Sequence, residues 1–312
     1  MRSARCSSDR VVFCILVNDS DEADSAALLI RSLRDFGGRL SGSDVCVLHP
    51  PGTKPRSMSD SLGSLEASGP GNLLAVELEA DAEVVRYPFG RKTAACAQVE
   101  SIARGRYRSL VWMAPQCLVV NEPDLLTLDG EVAAAFRAVH IRNIGSPAEA
   151  PPDAFWKSVY GLVGADPAAA TVRSLVDDRE IRPYFNSHLF AVDPGLGLLA
   201  RWLKLFRTAI GDRSLQQGPC ADDLHRIFLH QAILSALVSR EPGSDRVIHL
   251  PPGYSYPLHF HPGVPRLRRA RTLDDCTCPV YEGAFAYPET LNGLVPGDRM
   301  KAWLAHFAPP RG

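Results

Sequence analysis

Residues 106–123, RYRSLVWMAPQCLVVNEP, constrain the fold more than any other stretch. Leu110, Val111, Trp112 and Met113 are continuously apolar, as a strand covered on both faces requires. Ala114-Pro115-Gln116 interrupts the run. Pro115 has no N–H to give a central ladder, so the strand must end or bulge there. Cys117 to Val120 resume the apolar pattern, and Asn121-Glu122-Pro123 closes it. Open α/β sheets take their ligands at the carboxyl ends of central strands. Chemistry is therefore expected near residues 114–116.

The flanking pattern supports such a sheet. Residues 11–17, VVFCILV, read as a buried strand, followed by Asp19, Ser20 or Asp21 as caps for a helix over 22–36. A strand over 44–49 completes a strand–helix–strand start, the mark of a parallel sheet. Short strands are predicted over 73–79 and 83–87, and a helix over 92–103. A strand follows over 132–140, then helices over 154–163 and 166–176. Residues 184–192, YFNSHLFAV, read as a strand with a polar centre. Helices over 195–210 and 223–238 and a strand over 246–250 follow. Residues 251–271, rich in proline and aromatics, read as an ordered segment laid over the body.

A formal net charge of −1 gives no global pull toward nucleic acid. No run of about 18 apolar residues exists, so no membrane span is expected. The N-terminal MRSARCSSDR is too polar for a signal peptide, and the expected compartment is the cytoplasm. Among eight cysteines only Cys276 and Cys278 are close in sequence, and a CxC pair without further ligands is weak evidence for metal.

Five groups of residues carry candidate chemistry. Asn18, Asp19 and Asp21 either contact a nucleotide or cap a helix. Arg91 and Lys92, at a helix start, either hold a diphosphate or are a solvated charged pair. Glu100, on the same helix, is expected on an exposed face. Asn186-Ser187-His188 interrupts an apolar strand, and buried polar side chains need partners. Asn186 and His188 share one face, so they border a pocket or an internal network. On the helix over 223–238, Gln231 follows the apolar stripe inward and His225 faces solvent. His259 and His261 lie on one side if their segment is extended, where they could bind metal or phosphate.

Taken in order, these pieces resemble a GT-A-type glycosyltransferase, similar to the family 8 retaining enzymes. The resemblance covers roughly residues 10–265 and rests on the order of five weak motifs. Tyr184-Phe185-Asn186-Ser187 resembles that family's Phe-Asn-(Ser/Ala)-Gly strand, and His230-Gln231 its Asp-Gln helix start. His259-Phe260, or the following His261-Pro262-Gly263, resembles its C-terminal His motif, and the helix from Arg91 to Glu100 its Lys- and Glu-bearing helix. Where the family has Asp-x-Asp, which holds a divalent metal, this chain has Ala114-Pro115-Gln116. The resemblance implies an α/β fold with a GT-A-like, Rossmann-type mixed sheet flanked by helices, in one large domain. A flexible N-terminus (1–9), the main domain (10–270, with a mobile loop over 52–71) and a C-terminal tail packed on it (271–312) complete the expected organisation.

The implied function is transfer of a sugar from a nucleotide-sugar to an unknown acceptor, without the usual metal. The alternative is an inactive GT-A-fold protein serving as a binding or scaffold subunit. In the transferase reading Asp19 and Asp21 bind the nucleoside, and Arg91, Lys92 and His259 the diphosphate. Asn186 and Gln231 bind the donor sugar, and Gln116 sits at the former metal position. The nucleotide-sugar is a substrate, and no cofactor is assigned. The loop over 52–71 is a candidate surface for a protein partner.

Overall fold

A computed structural model describes residues 10–52, 71–167, 170–281 and 293–307. Of the expected loop over 52–71, residues 53–70 lie outside the described residues, as do the first nine residues. Strand β1 (Val11–Leu16) is buried throughout. Its neighbouring residues face opposite ways, as the two-residue period of a strand requires. Val12, Cys14 and Leu16 enter one apolar cluster, and Val11, Phe13 and Ile15 another. A strand buried on both faces needs helices above and below it.

Helix α1 (Ser20–Phe36) supplies one cover, with Ala23, Ala26, Leu29, Ile30 and Leu33 buried at helical spacing. Asp19 is its N-cap and accepts the Glu22 N–H at 2.9 Å. The chain continues through β2 (Asp44–His49), β3 (Leu73–Glu77), helix α2 (Ala82–Arg86), helix α3 (Gly90–Ala103) and β4 (Ser109–Met113). After β5 (Ala134–Ala138) comes helix α4 (Ala154–Val163), then β6 (Val172–Arg173) paired with β7 (Glu180–Ile181), and β8 (Phe185–Val192). Helices α5 (Leu198–Gly211), α6 (Arg213–Gln217) and α7 (Asp223–Arg240) lead to β9 (Val247–His249) and β10 (Tyr254–Pro257). β11 (Cys278–Val280) pairs with β10, and α8 (Asp298–Phe307) follows.

Among the described residues, seven strands form one sheet in the order β3-β2-β1-β4-β8-β5-β9. All neighbours are parallel except β8, which runs antiparallel to both β4 and β5. Helices α3, α4, α5 and α7 cover the face opposite α1. The expected mixed α/β sheet is thus observed. Beyond α1, α8 docks by Trp303, whose ring lies 5.5 Å from Phe36 and whose Nε1–H donates to Asp35 at 2.7 Å.

Two element predictions and one exposure prediction need correction. Residues 83–87 contribute to helix α2, not a strand. Of its two β-branched residues only Val84 is buried, so there is one apolar anchor and no alternating face. Over 166–176 the described residues form no helix. Ser174 donates its hydroxyl to Asp177, and Asp178 takes a left-handed φ of 52°, which turns the chain so that β6 and β7 pair. Glu100 is buried, not exposed. Its carboxylate accepts the Leu199 and Ala200 N–H groups, each at 2.9 Å, and so caps the start of α5.

Candidate active site

The antiparallel insertion of β8 builds the site. It brings the N-terminal end of β8 beside the C-terminal ends of β4 and β5. Met113 pairs with Leu189, and one residue later the Ala114 N–H donates to the His188 carbonyl at 2.7 Å. The Cys117 N–H then bonds back to Ala114 O, and the Leu118 N–H to Pro279 O. The chain therefore leaves the sheet at the Pro115 break. Ala114-Pro115-Gln116 and Asn186-Ser187-His188 share one edge although they are about 70 residues apart in sequence.

Ser187 is the hub of the first half of this edge. From α3, Lys92 Nζ donates to the Ser187 carbonyl and, at 2.8 Å, to its Oγ. The same hydroxyl donates to Gln231 Oε1 at 3.1 Å and lies 3.4 Å from His230 Nε2, both on α7. The four side chains are buried. Burial disfavours the ammonium form and pulls Lys92 from 10.5 down to about 8. His230 is also held well below the ordinary imidazole range, by burial first and then by Lys92. Its ring stacks under Phe89, with centroids 4.4 Å apart.

Asn186 organises the second half. Its Oδ1 accepts the His188 backbone N–H and faces His188 Nδ1, both at 2.7 Å. A backbone N–H can only donate, so the Asn186 amide nitrogen must face His140 Nε2, at 2.9 Å. On the other side of the His140 ring, Nδ1 lies 2.5 Å from Arg137 Nη2. Both neighbours of His140 are donors, and a neutral imidazole has one acceptor nitrogen. One of the two contacts is therefore unsatisfied, and the cluster has a surplus of donors. Arg137, 3% exposed, also donates to Ser255 O at 3.0 Å, while its Nε has no partner among the described residues. Burial lowers Arg137 to about 9. Burial, then Lys92, Arg137 and His259, pushes His188 down to about 3. His140 is lowered for the same kinds of reason, burial first.

Neither Lys92 nor Arg137 has a carboxylate partner among the described residues. A buried cation without a counter-charge is costly unless a ligand anion supplies one. The same surplus of positive charge bears on metal. A hard divalent ion needs several oxygen ligands, chiefly carboxylates. Ala114 and Pro115 have no side-chain donor and Gln116 has one neutral carbonyl. No cluster of three His, Cys, Asp or Glu side chains suited to a metal exists among the described residues. Ala114, Pro115 and Gln116 do not fit a hard divalent cation held by carboxylates.

Of the residues expected to form a site, Lys92, Asn186 and Gln231 meet around Ser187 and His188. His259 joins them, its ring 6.1 Å from that of His140. Gln116 is half-buried at the same edge, and its backbone carbonyl accepts the Tyr281 N–H at 3.0 Å. Arg91 turns the other way, toward Asn18 Oδ1 at 3.4 Å, at the end of β1. Asp19 and Asp21 are exposed on the first turn of α1, and Asp19 is occupied as its cap. His261 does not stand beside His259. Residues Leu258–Gly263 form a 3-10 helix, where positions two apart point in different directions, and His261 Nδ1 bonds Tyr256 OH at 2.7 Å. The metal expectation for that pair is corrected accordingly.

Arg137, His140 and Phe89 were not anticipated. Arg137 and His140 break an otherwise apolar strand segment, the same signal that singled out Asn186. Phe89 gives no sequence signal, because its significance lies in its backbone conformation.

The sequence model of the Rhodobacterales glycosyltransferase domain matches residues 13–241, more than half of the chain. The chain belongs to this glycosyltransferase family. No curated protein matches it. Among solved structures, the bifunctional glycosyltransferase WbbM, in its apo form, matches with a TM-score of 0.53 and 13% identity, over 95% of this chain and 51% of WbbM. The galactosyltransferase LgtC, in complex with donor and acceptor sugar analogs, matches with a TM-score of 0.52 and 11% identity, over 93% of this chain and 99% of LgtC. The glycosyltransferase domain thus spans about half the length of WbbM. At these identities the likeness is one of fold, and that fold is GT-A. The expected family and fold hold, and with them sugar transfer in general. Among the described residues, no helix is long and apolar enough to cross a membrane.

Proposed function

We propose that this glycosyltransferase domain transfers a sugar from a nucleotide-sugar donor to an acceptor without a divalent metal. The observation that carries the reading is the pair of buried cations, Lys92 and Arg137, without carboxylate partners among the described residues. They lie at the edge where Ala114-Pro115-Gln116 offers no carboxylate. A nucleoside diphosphate leaving group needs its developing charge stabilised, and fixed cations in a dry site do this well. In this reading Asp19 and Asp21, beside Asn18, take the nucleoside. Lys92 and His259 take the diphosphate, with Arg137 behind them, and Arg91, turned toward Asn18, meets it from the nucleoside side. Asn186 and Gln231 orient the donor sugar, and Gln116 lines the former metal position. The acceptor oxygen attacks the anomeric carbon as its bond to the phosphate oxygen breaks. The acceptor proton passes to that phosphate oxygen, so no separate base is required. A cytoplasmic location belongs to the same reading.

The test is a thermal-shift panel of UDP-, GDP- and CDP-sugars, each with Mn²⁺ and with EDTA, followed by product analysis. Stabilisation and turnover that persist in EDTA support the reading. A requirement for Mn²⁺, or the absence of stabilisation by every nucleotide-sugar, refutes it.

A further inference from the structure

The aromatic ring of Phe89 is used by no step of the transfer above. Phe89 is 49% exposed and adopts φ 57°, a left-handed conformation that glycine enters freely and a bulky residue does not. The conformation is tightly held. The Phe89 carbonyl accepts both the N–H and the hydroxyl of Thr93, each at 3.1 Å. The next residue, Gly90, has no room for a Cβ, which would lie 1.7 Å from the Val84 carbonyl oxygen. The result is a ring laid nearly parallel on the buried His230, at an interplanar angle of 19°, with Lys92 Nζ 5.9 Å from its centroid. Strained positions that the surroundings over-determine cluster where a side chain must be aimed.

We propose that Phe89 is the stacking platform for the acceptor, and that the acceptor presents a pyranose ring. This rests on the transferase reading above. One face of the ring is backed by His230, and the residue remains half open to solvent. A pyranose has an apolar face of C–H groups that fits a flat aromatic surface. The donor sugar belongs deeper, because Asn186, Ser187 and Gln231 are 3%, 4% and 6% exposed and transfer requires water to be excluded there. The open ring at the rim is left for the second sugar.

The test compares Phe89→Gly, Phe89→Leu and Phe89→Tyr with the wild-type chain. Binding of methyl β-glucopyranoside and methyl β-galactopyranoside is read by saturation-transfer NMR, and binding of UDP and GDP by calorimetry. Expected are retention of pyranoside binding in Phe89→Tyr and a loss on the order of tenfold in Phe89→Leu and Phe89→Gly. Nucleoside diphosphate affinity stays unchanged throughout. The melting temperature of Phe89→Gly does not fall, because glycine relieves the strained φ. The proposal is overturned if wild type binds neither pyranoside, if the Gly and Leu variants bind as wild type does, or if nucleotide affinity falls instead. A large drop in melting temperature for Phe89→Gly would also overturn it, as that makes the ring a packing element. The pyranoside arm needs no donor, so its failure is separable from failure of the transferase reading.

Discussion

Replacing Lys92 by Met removes one charge and keeps most of the apolar stem. The folded chain holds this ammonium at about 8, against an ordinary 10.5, because of burial. Below pH 8 Lys92 is charged in both folded and unfolded chains, and the penalty for burying the charge is fully present. Between about 8 and 10.5 the folded state loses the proton first, so the penalty fades as pH rises. At 1.36 kcal/mol per pKa unit, the gap amounts to about 3 kcal/mol in full, of which roughly 2.5 kcal/mol falls between pH 7 and pH 10. The stability of Lys92→Met relative to wild type should therefore fall by roughly 2.5 kcal/mol from pH 7 to pH 10. Bonds lost to Ser187 Oγ and to the Ser187 carbonyl shift both ends of this comparison alike, so the pH-dependent part isolates the charge.

Urea unfolding of both chains at pH 7, 8, 9 and 10 measures this directly. A nucleoside diphosphate should act in the opposite sense on the same group, because a nearby anion raises Lys92 again. At pH 8.5 binding of UDP or GDP should then take up a fraction of a proton, seen as a calorimetric enthalpy that varies with buffer ionisation heat. In Lys92→Met the uptake should vanish and affinity fall by about 10- to 100-fold, as for loss of a charge-assisted bond. A stability difference that is flat with pH, or diphosphate binding equal in both chains with no proton uptake, would refute the reasoning.

The alkaline limb of kcat/KM should fall with an apparent pKa near 8, since the free enzyme then loses the Lys92 charge; Lys92→Met should lack that limb. Asp19→Ala should cost about 1 kcal/mol through loss of the cap on α1. Asp19→Asn keeps the cap, so a fall in nucleotide affinity with unchanged melting temperature is expected if Asp19 also contacts the nucleoside. Glu100→Ala leaves two N–H groups of α5 unpaired and should lower stability by about 2–3 kcal/mol, with activity per folded molecule unchanged. A specific loss of kcat at normal stability would move Glu100 into the catalytic machinery.

Much of this was legible along the chain wherever burial and pattern coincide. The end of β4 at Met113, the capping of α1 and the polar interruption of β8 follow from local sequence. So does the placement of Lys92 and Gln231 on helices beside the edge. What was not legible depends on pairing at long range. Glu100 looks like a solvent residue until α5 brings its N–H groups to it, about 100 residues later. Arg137 and His140 interrupt an apolar run, but their place at the site follows only once β8 is known to run antiparallel beside β5, which sets Asn186 against His140. The 3-10 winding of residues 258–263, which separates His259 from His261, is invisible because an extended segment of the same composition would bring them together. Phe89 is the extreme case, since a φ angle leaves no trace in residue order.

The two halves of the edge have a common electrostatic logic. A metal-dependent site binds its positive charge along with the substrate and needs carboxylates to hold it. Here the positive charge is built into the chain, on Lys92 and Arg137, and both groups titrate below their ordinary values because burial opposes that charge. Carboxylates at the strand end would cancel those cations and weaken the attraction for an anionic leaving group. In the proposed reading, neutral Ala114 and Gln116 are compatible with a cation-lined site. Donor-rich His140, with Arg137 on one nitrogen and Asn186 on the other, extends the same bias. In the proposed metal-free reading the strand end without acidic side chains suits the site, because carboxylates there would offset the positive charge of Lys92 and Arg137.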